Sequence, residues 1–272
     1  MVTASSHATN AASCSDEDSD SDEEVILFRH LNLNSNVGEA SSTRRDGGGG
    51  ACAHTAHTAA LLQKRVLVII DLNGLLVDRV YLRGAHHHQK KHILAAEKAG
   101  GKVVGKYLVH VRRGLLDFIR FAAERFELMV WSSARLSNIE SLTDAFFPED
   151  VELIRKWGQD KCVCVQPHPT NPKKPCLFLK VLSDLWEQDA RWNKTNTVLI
   201  DDSIEKASRN PPFTSIHPRE WGSAAKDDAA LLPGGAIREC LSELYQKVVV
   251  AGEMTVPEYL KSQQYLDANE GT

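Results

Sequence analysis

The stretch "VLVIIDLNGLLVD", Val66 to Asp78, decides the fold. Its aliphatic run Val66–Ile70 reads as a strand buried on both faces, as parallel sheets require. The run stops on Asp71, and Asn73 follows two places on. Two other runs end the same way. "ELMVW", Glu127 to Trp131, stops on Ser132 and Ser133, and "NTVLIDDS", Asn196 to Ser203, stops on Asp201 and Asp202. In open α/β sheets the ligand crevice lies beyond the carboxyl ends of the strands. Three strand ends that each supply a polar group therefore predict one convergent site.

The intervening sequence fits that arrangement. "GLLDFIRFAAERF", Gly114 to Phe126, and Leu136 to Phe147 carry apolar residues at helical spacing. "LFLKVLSDLWEQD", Leu177 to Asp189, reads as a further helix carrying Lys180, and "IRECLSELYQKVV", Ile237 to Val249, as an amphipathic one. "KVVGKYLVHVRR", Lys102 to Arg113, alternates and reads as a half-exposed hairpin. Residues 1–62 are rich in Ala, Ser, Asn, Gly and acids, and read as a disordered arm that cannot bury enough apolar surface to offset chain entropy. Residues 63–272 read as one domain, with a core over 66–222 and a helical extension over 223–272.

Composition bounds the function. Hydrophobic residues make up 42% of the 272 and charged residues 25%, ordinary values for a globular chain. No apolar run approaches the ~20 residues that span a bilayer, so no membrane partner is expected. Neither a signal peptide nor a presequence is recognisable at the N-terminus, which points to nucleus or cytoplasm. The six cysteines show no zinc-ligand spacing and read as reduced thiols.

Charge is unevenly placed. Ser15 to Glu24 holds seven acids and no base, whereas Arg83 to Arg113 carries +7 with five histidines. The basic segment suits a phosphorylated or acidic partner. It lacks the interleaved aromatics of a nucleic-acid platform, so nucleic acid is an unlikely ligand. "HHHQKKH", His86 to His92, reads as exposed loop. In the acidic arm Ser15, Ser19 and Ser21 each precede an acid by three residues, the pattern of an acidophilic kinase site. The β-prone run Val25–Phe28 beside acids is similar to a SUMO-interacting motif, which adds a strand to its partner.

The order strand–Asp71, strand–Ser132, Lys180 within "FLK", strand–Asp201–Asp202 resembles the haloacid-dehalogenase superfamily. Within it, the chain is most similar to the phosphatases of the RNA polymerase II C-terminal domain and the NLI-interacting-factor-like proteins. The resemblance is carried by "VIIDLNGLLVD", "RRGLLDFIRFAAERFELMVWSSARLSNIESL", "KPCLFLKVLSDLW" and "NTVLIDDSIEKASRNPPFTSI". It implies an α/β fold: a Rossmann-like parallel sheet with helices on both faces and a small β-hairpin flap. It also implies phosphoester hydrolysis through an aspartyl phosphate, with Asp71 as nucleophile. Mg²⁺ would be held by Asp71, the backbone carbonyl of Asn73, and Asp201, with Asp202 in support. Ser132, or Ser133 in the alternative register, and Lys180 would hold the phosphoryl oxygens.

Two positions depart from the family pattern. Active members carry a second Asp where this chain has Asn73, and a Thr where it has Leu75. The second Asp protonates the leaving oxygen and then deprotonates water. An amide transfers no proton, and loss of general acid/base catalysis costs about 10²–10⁴ in rate. The expectation is a weakened phosphatase for phosphoprotein, aryl or acyl phosphates. The alternative is a catalytically inactive phospho-binding or adaptor protein of the same fold, the class that includes an import-receptor subunit of the mitochondrial translocase. Asp78 lies too far along the chain to replace the missing acid.

Overall fold

The computed structural model describes residues 65–82, 93, 94, 97, 98, 100–172 and 174–263. The arm over residues 1–62, the Val25–Phe28 motif and His86–His92 lie outside the described residues.

Five short strands make the central sheet: β1 (Leu67–Ile70), β5 (Glu127–Trp131), β6 (Arg155–Trp157), β9 (Thr197–Ile200) and β10 (Ser215–Ile216). Their order is β10-β9-β1-β5-β6, and every pairing is parallel. β1 is central, with Leu67 opposite Glu127 on one side and Thr197 on the other. The period-2 alternation of a strand then sorts the apolar side chains to two faces. Val68, Ile70, Leu128, Val130, Val198 and Ile200 face one core, and Leu67, Ile69, Met129, Trp131 and Leu199 the other.

Helices cover both faces. On the first lie α1 (Leu115–Ala123) and α2 (Leu136–Phe146), which bury Phe118, Ile119, Ile139 and Leu142. α4 (Ala236–Leu244), continuing as a π-helical stretch over Tyr245–Val250, and α5 (Val256–Gln263) add Leu241, Val248 and Tyr259 to that same core. On the second face lies α3 (Leu182–Gln188), whose Leu182 and Leu185 pack with Trp157 and Trp192. The chain is therefore the α/β sandwich that the alternation of buried strands and amphipathic helices predicts. Among the described residues no helix is long and apolar enough to cross a membrane.

Two regions differ from the sequence expectation. The hairpin is a three-stranded antiparallel sheet, because β2 (Val77–Tyr81) pairs with β4 (Tyr107–Val111), which also pairs with β3 (Lys102–Val104). The helix expected over Leu177–Asp189 starts only at Leu182. Leu177–Leu179 is instead strand β8, antiparallel to β7 (Val163–Val165). A short apolar run fits either period, and here the partner strand decides it. Lys180 thus sits between a strand and a helix, not on a helix face.

Candidate active site

The chain passes from β1 to β5 and β6 on one side and returns to β9 on the other. The place where the strand order reverses is between β1 and β9, and this is where α/β sheets bind ligands. Asp71 follows β1 there and Asp201 follows β9. Across β5, Ser132 is fixed by its backbone N–H, which donates to the Trp157 carbonyl at 3.0 Å. An open cleft of about 480 Å³ lies over these strand ends, lined by Asp71, Asn73, Ser132, Ser133, Asp202 and Lys206 among others. Both serines line the cleft, so the register between them stays open.

Asp71, Lys180 and Asp201 are each at most 1% exposed. Buried charges persist only when paired and hydrogen-bonded. Lys180 Nζ lies 2.5 Å from Asp201 Oδ2 and 3.2 Å from Asp71 Oδ2. The Leu72 N–H donates to Asp71 Oδ1 at 2.8 Å, and the Ser203 N–H to Asp201 Oδ1 at 2.9 Å.

The sequence reading missed a second ammonium. Lys206 Nζ lies 2.8 Å from Asp71 Oδ2, 3.0 Å from Asp201 Oδ1 and 3.6 Å from Asp202 Oδ1. Its place four residues after Asp202, in the 3₁₀ turn Ile204–Ala207, is the usual spacing of an ion pair on a helical turn. That signal was present in "DDSIEK".

The charges set the protonation states. Burial alone would raise the Asp71 pKa, but the Lys180 and Lys206 ammonium groups and two hydrogen bonds overcome it and hold Asp71 well below the usual carboxylate range. Asp71 is thus an anion at any physiological pH, as a nucleophile must be. For Lys206, burial opposes the charged form, yet Asp71, Asp201 and Asp202 outweigh it and raise its pKa. Burial pushes Asp202 up to about 6, aided by Asp201, Asp71 and Glu220 and resisted by Lys206.

Neighbouring loops fix this geometry. Gly74 holds φ +82°, and a Cβ there would come within 2.9 Å of Asp202 Oδ2. A side chain is excluded by conformation and by space alike. Trp221 N–H donates to the Gly74 carbonyl at 2.7 Å. Asn210 bridges the Lys180 turn: Leu182 N–H donates to its Oδ1, and its Nδ2 donates to the Lys180 carbonyl, both at 2.9 Å. Lys180 N–H donates to the Lys206 carbonyl, so the two lysines share one frame.

Asn73 is exposed at the cleft, and its Oδ1 accepts from Arg79 Nε at 3.4 Å. Leu75 is buried in the first core. Asp78 accepts from both the N–H and the hydroxyl of Ser223, at 2.9 and 2.7 Å, so its carboxylate is committed elsewhere. Arg112, counted by sequence with the basic flap, is buried and pairs twice with Asp228, at 2.7 and 2.6 Å.

The carboxylates could hold a cation. Asp71, Asp201 and Asp202 offer ligand atoms all within 4.8 Å of one another. Asp202 Oδ1 is buried with no hydrogen-bond partner, which is the condition of an oxygen ready to ligate. Three hard carboxylate oxygens fit Mg²⁺, although the Lys206 ammonium contacts all three.

Comparison with known proteins gives the chain its relatives. The sequence profile of the family described as NLI interacting factor-like phosphatase matches residues 66–250. A fission yeast (Schizosaccharomyces pombe) FCP1 homology domain-containing protein is 26% identical over 154 residues, 54% of this chain and 58% of its own length. Among solved structures, Fcp1, an essential RNA polymerase II CTD phosphatase, aligns with 16% identity and a TM-score of 0.44, covering 80% of this chain and 58% of that one. A fission yeast Fcp1 variant bound to beryllium fluoride aligns similarly, with 16% identity and a TM-score of 0.43, over 78% of this chain and 57% of that one. The chain thus spans less than three-fifths of the length of each.

Proposed function

Because the chain belongs to the NLI interacting factor-like phosphatase family, we propose that it is an aspartate-nucleophile phosphatase with weakened acid/base catalysis, acting on phosphorylated protein. The observation that carries this reading is one buried charge network. Asp71, Lys180 and Asp201 are joined at the ends of β1 and β9, under a cleft that Ser132 also lines.

In this mechanism an Asp71 oxygen attacks phosphorus, and the bond from phosphorus to the leaving oxygen breaks. Lys180 and the Ser132 hydroxyl take the phosphoryl oxygens as their charge redistributes. The leaving oxygen needs a proton, and since Asn73 supplies none it takes one from solvent water. Water then attacks the aspartyl phosphate as the bond from Asp71 to phosphorus breaks, its proton passes to bulk solvent without help from position 73, and inorganic phosphate departs from a restored Asp71. Mg²⁺, held by Asp71, Asp201, Asp202 and the Asn73 carbonyl, would reduce the repulsion between carboxylate and phosphate. Aryl and acyl phosphates need little leaving-group protonation and are the favoured substrates in vitro.

One residue favours a second reading. Asn73 keeps the shape of the missing acid and donates hydrogen bonds, which suits a protein that holds a phosphoryl group without releasing it. Hydrolysis of an aryl phosphate with Mg²⁺ separates the two. Slow turnover by the wild type, none by Asp71→Asn, and extension to phosphoserine by Asn73→Asp support the enzyme. A silent wild type with an active Asn73→Asp favours the binder, and silence of all three refutes the enzyme.

A further inference from the structure

Lys206 lies where the carboxylates would hold a cation. Its Nζ approaches Asp71 Oδ2, Asp201 Oδ1 and Asp202 Oδ1 at 2.8, 3.0 and 3.6 Å. An ammonium has three donors, and here three carboxylates face it. The placement is built into the backbone: Lys206 N–H donates to the Ser203 carbonyl at 3.1 Å, and its own carbonyl accepts from Lys180 N–H at 2.8 Å. Only 17% of its side chain is exposed.

Charge counting gives this a consequence. Asp71, Asp201 and Asp202 carry three negative charges when ionised, and Lys180 and Lys206 return two. The remainder is a single charge, which a dication over-compensates. Without Lys206 the deficit is two, which a dication matches. Mg²⁺ also needs its oxygens at about 2.0–2.1 Å in near-octahedral array, and the ammonium sits among those same oxygens.

We propose that Lys206 is a tethered counter-ion standing in the divalent-cation position, so that the pocket keeps a single net negative charge without metal and takes Mg²⁺ only by displacing the Lys206 side chain. This deepens the reading of Asp71 and Asp201 as phosphoryl-transfer groups, and rests on it. It makes phosphate capture in this pocket a two-lysine event, insensitive to chelator.

The test is metal occupancy of the full chain, read by electron paramagnetic resonance with Mn²⁺ in place of Mg²⁺. Wild type is expected to bind at least about tenfold more weakly than Lys206→Met, a difference equal to about 1.4 kcal/mol. Adding Asp201→Asn to Lys206→Met should remove the gained site. Mg²⁺ should raise the melting midpoint of Lys206→Met and leave that of wild type unchanged. Equal Mn²⁺ affinity in wild type and Lys206→Met overturns the proposal. Should Lys206→Met not fold, wild type decides: micromolar one-to-one Mn²⁺ binding abolished by Asp201→Asn overturns it, and no binding below millimolar supports it. Occupancy is read without turnover. A negative result here therefore leaves the hydrolysis test intact, and failed hydrolysis leaves the metal comparison intact.

Discussion

Arg79 Nε donates to Asn73 Oδ1 across 3.4 Å. A guanidinium only donates, so the amide must turn its oxygen to Arg79, leaving its NH₂ group for the cleft. Arg79 is itself held over the Tyr107 ring, 4.9 Å from its centroid. The flap strands β2 and β4 thereby set the orientation of the side chain at position 73.

Restoring the acid is therefore expected to work only in part. In Asn73→Asp the new carboxylate faces Arg79, whose charge lowers its pKa and depletes the protonated form that acts as acid at neutral pH. Asn73→Asp should recover a fraction of the ~10²–10⁴ available from acid/base catalysis. Asn73→Asp with Arg79→Gln should recover more, with the alkaline limb of its kcat/KM profile moved to higher pH. Superimposable pH profiles for the two variants would contradict a role for Arg79.

Asn210→Ala should destabilise the protein by about 1–3 kcal/mol, because the Leu182 N–H and the Lys180 carbonyl lose their partner in part-buried surroundings. Urea denaturation measures it. The same change frees the turn that carries Lys180, so affinity for inorganic phosphate should fall as well. An unchanged denaturation midpoint would show that water replaces the side chain at no cost.

Asp228→Asn leaves Arg112, whose side chain is 4% exposed, without its counter-charge. Breaking a buried pair in this way costs about 3–5 kcal/mol. The hydrogen bonds from Arg112 hold the Asp228 pKa below its ordinary value. Its contribution to stability is then fully present above the unfolded carboxylate pKa, near 4, and is lost as pH falls through the lower folded value. Wild type should exceed Asp228→Asn by the full amount at pH 7 and by less near pH 3, as the loss begins below the unfolded pKa. A gap of the same size at both pH values would exclude this ion pair as its source.

The parts of the site that announce themselves in sequence are those at which a strand pattern breaks. Asp71, Ser132 and Asp201 each end an apolar run, and the structure gathers all three at one end of the sheet. The order of motifs along the chain picks out Lys180, although its strand-to-helix setting reads as helix, since "LFL" carries no period of its own. β6 and β10 left little trace. "RKW" and "SI" are short edge strands, where polar residues are tolerated because only one side is paired. Lys206 carries one local trace, its four-residue spacing from Asp202, but its contact with Asp71 crosses 135 residues, and Asn210 and Arg112 likewise find distant partners.

β1 is the first strand of the central sheet to be synthesised and stands at its centre, between β5 and β9. Its partners start at Glu127 and Thr197. At about 5–20 residues per second, the Val66–Ile70 segment waits on the order of ten seconds for its second partner. Through that interval "VLVII" is uncharged, free of Pro and Gly, and open at an edge, the features of a self-associating β segment. The strand that positions the nucleophile is thus also the segment of this sheet at greatest risk of pairing with another copy of itself on the polysome.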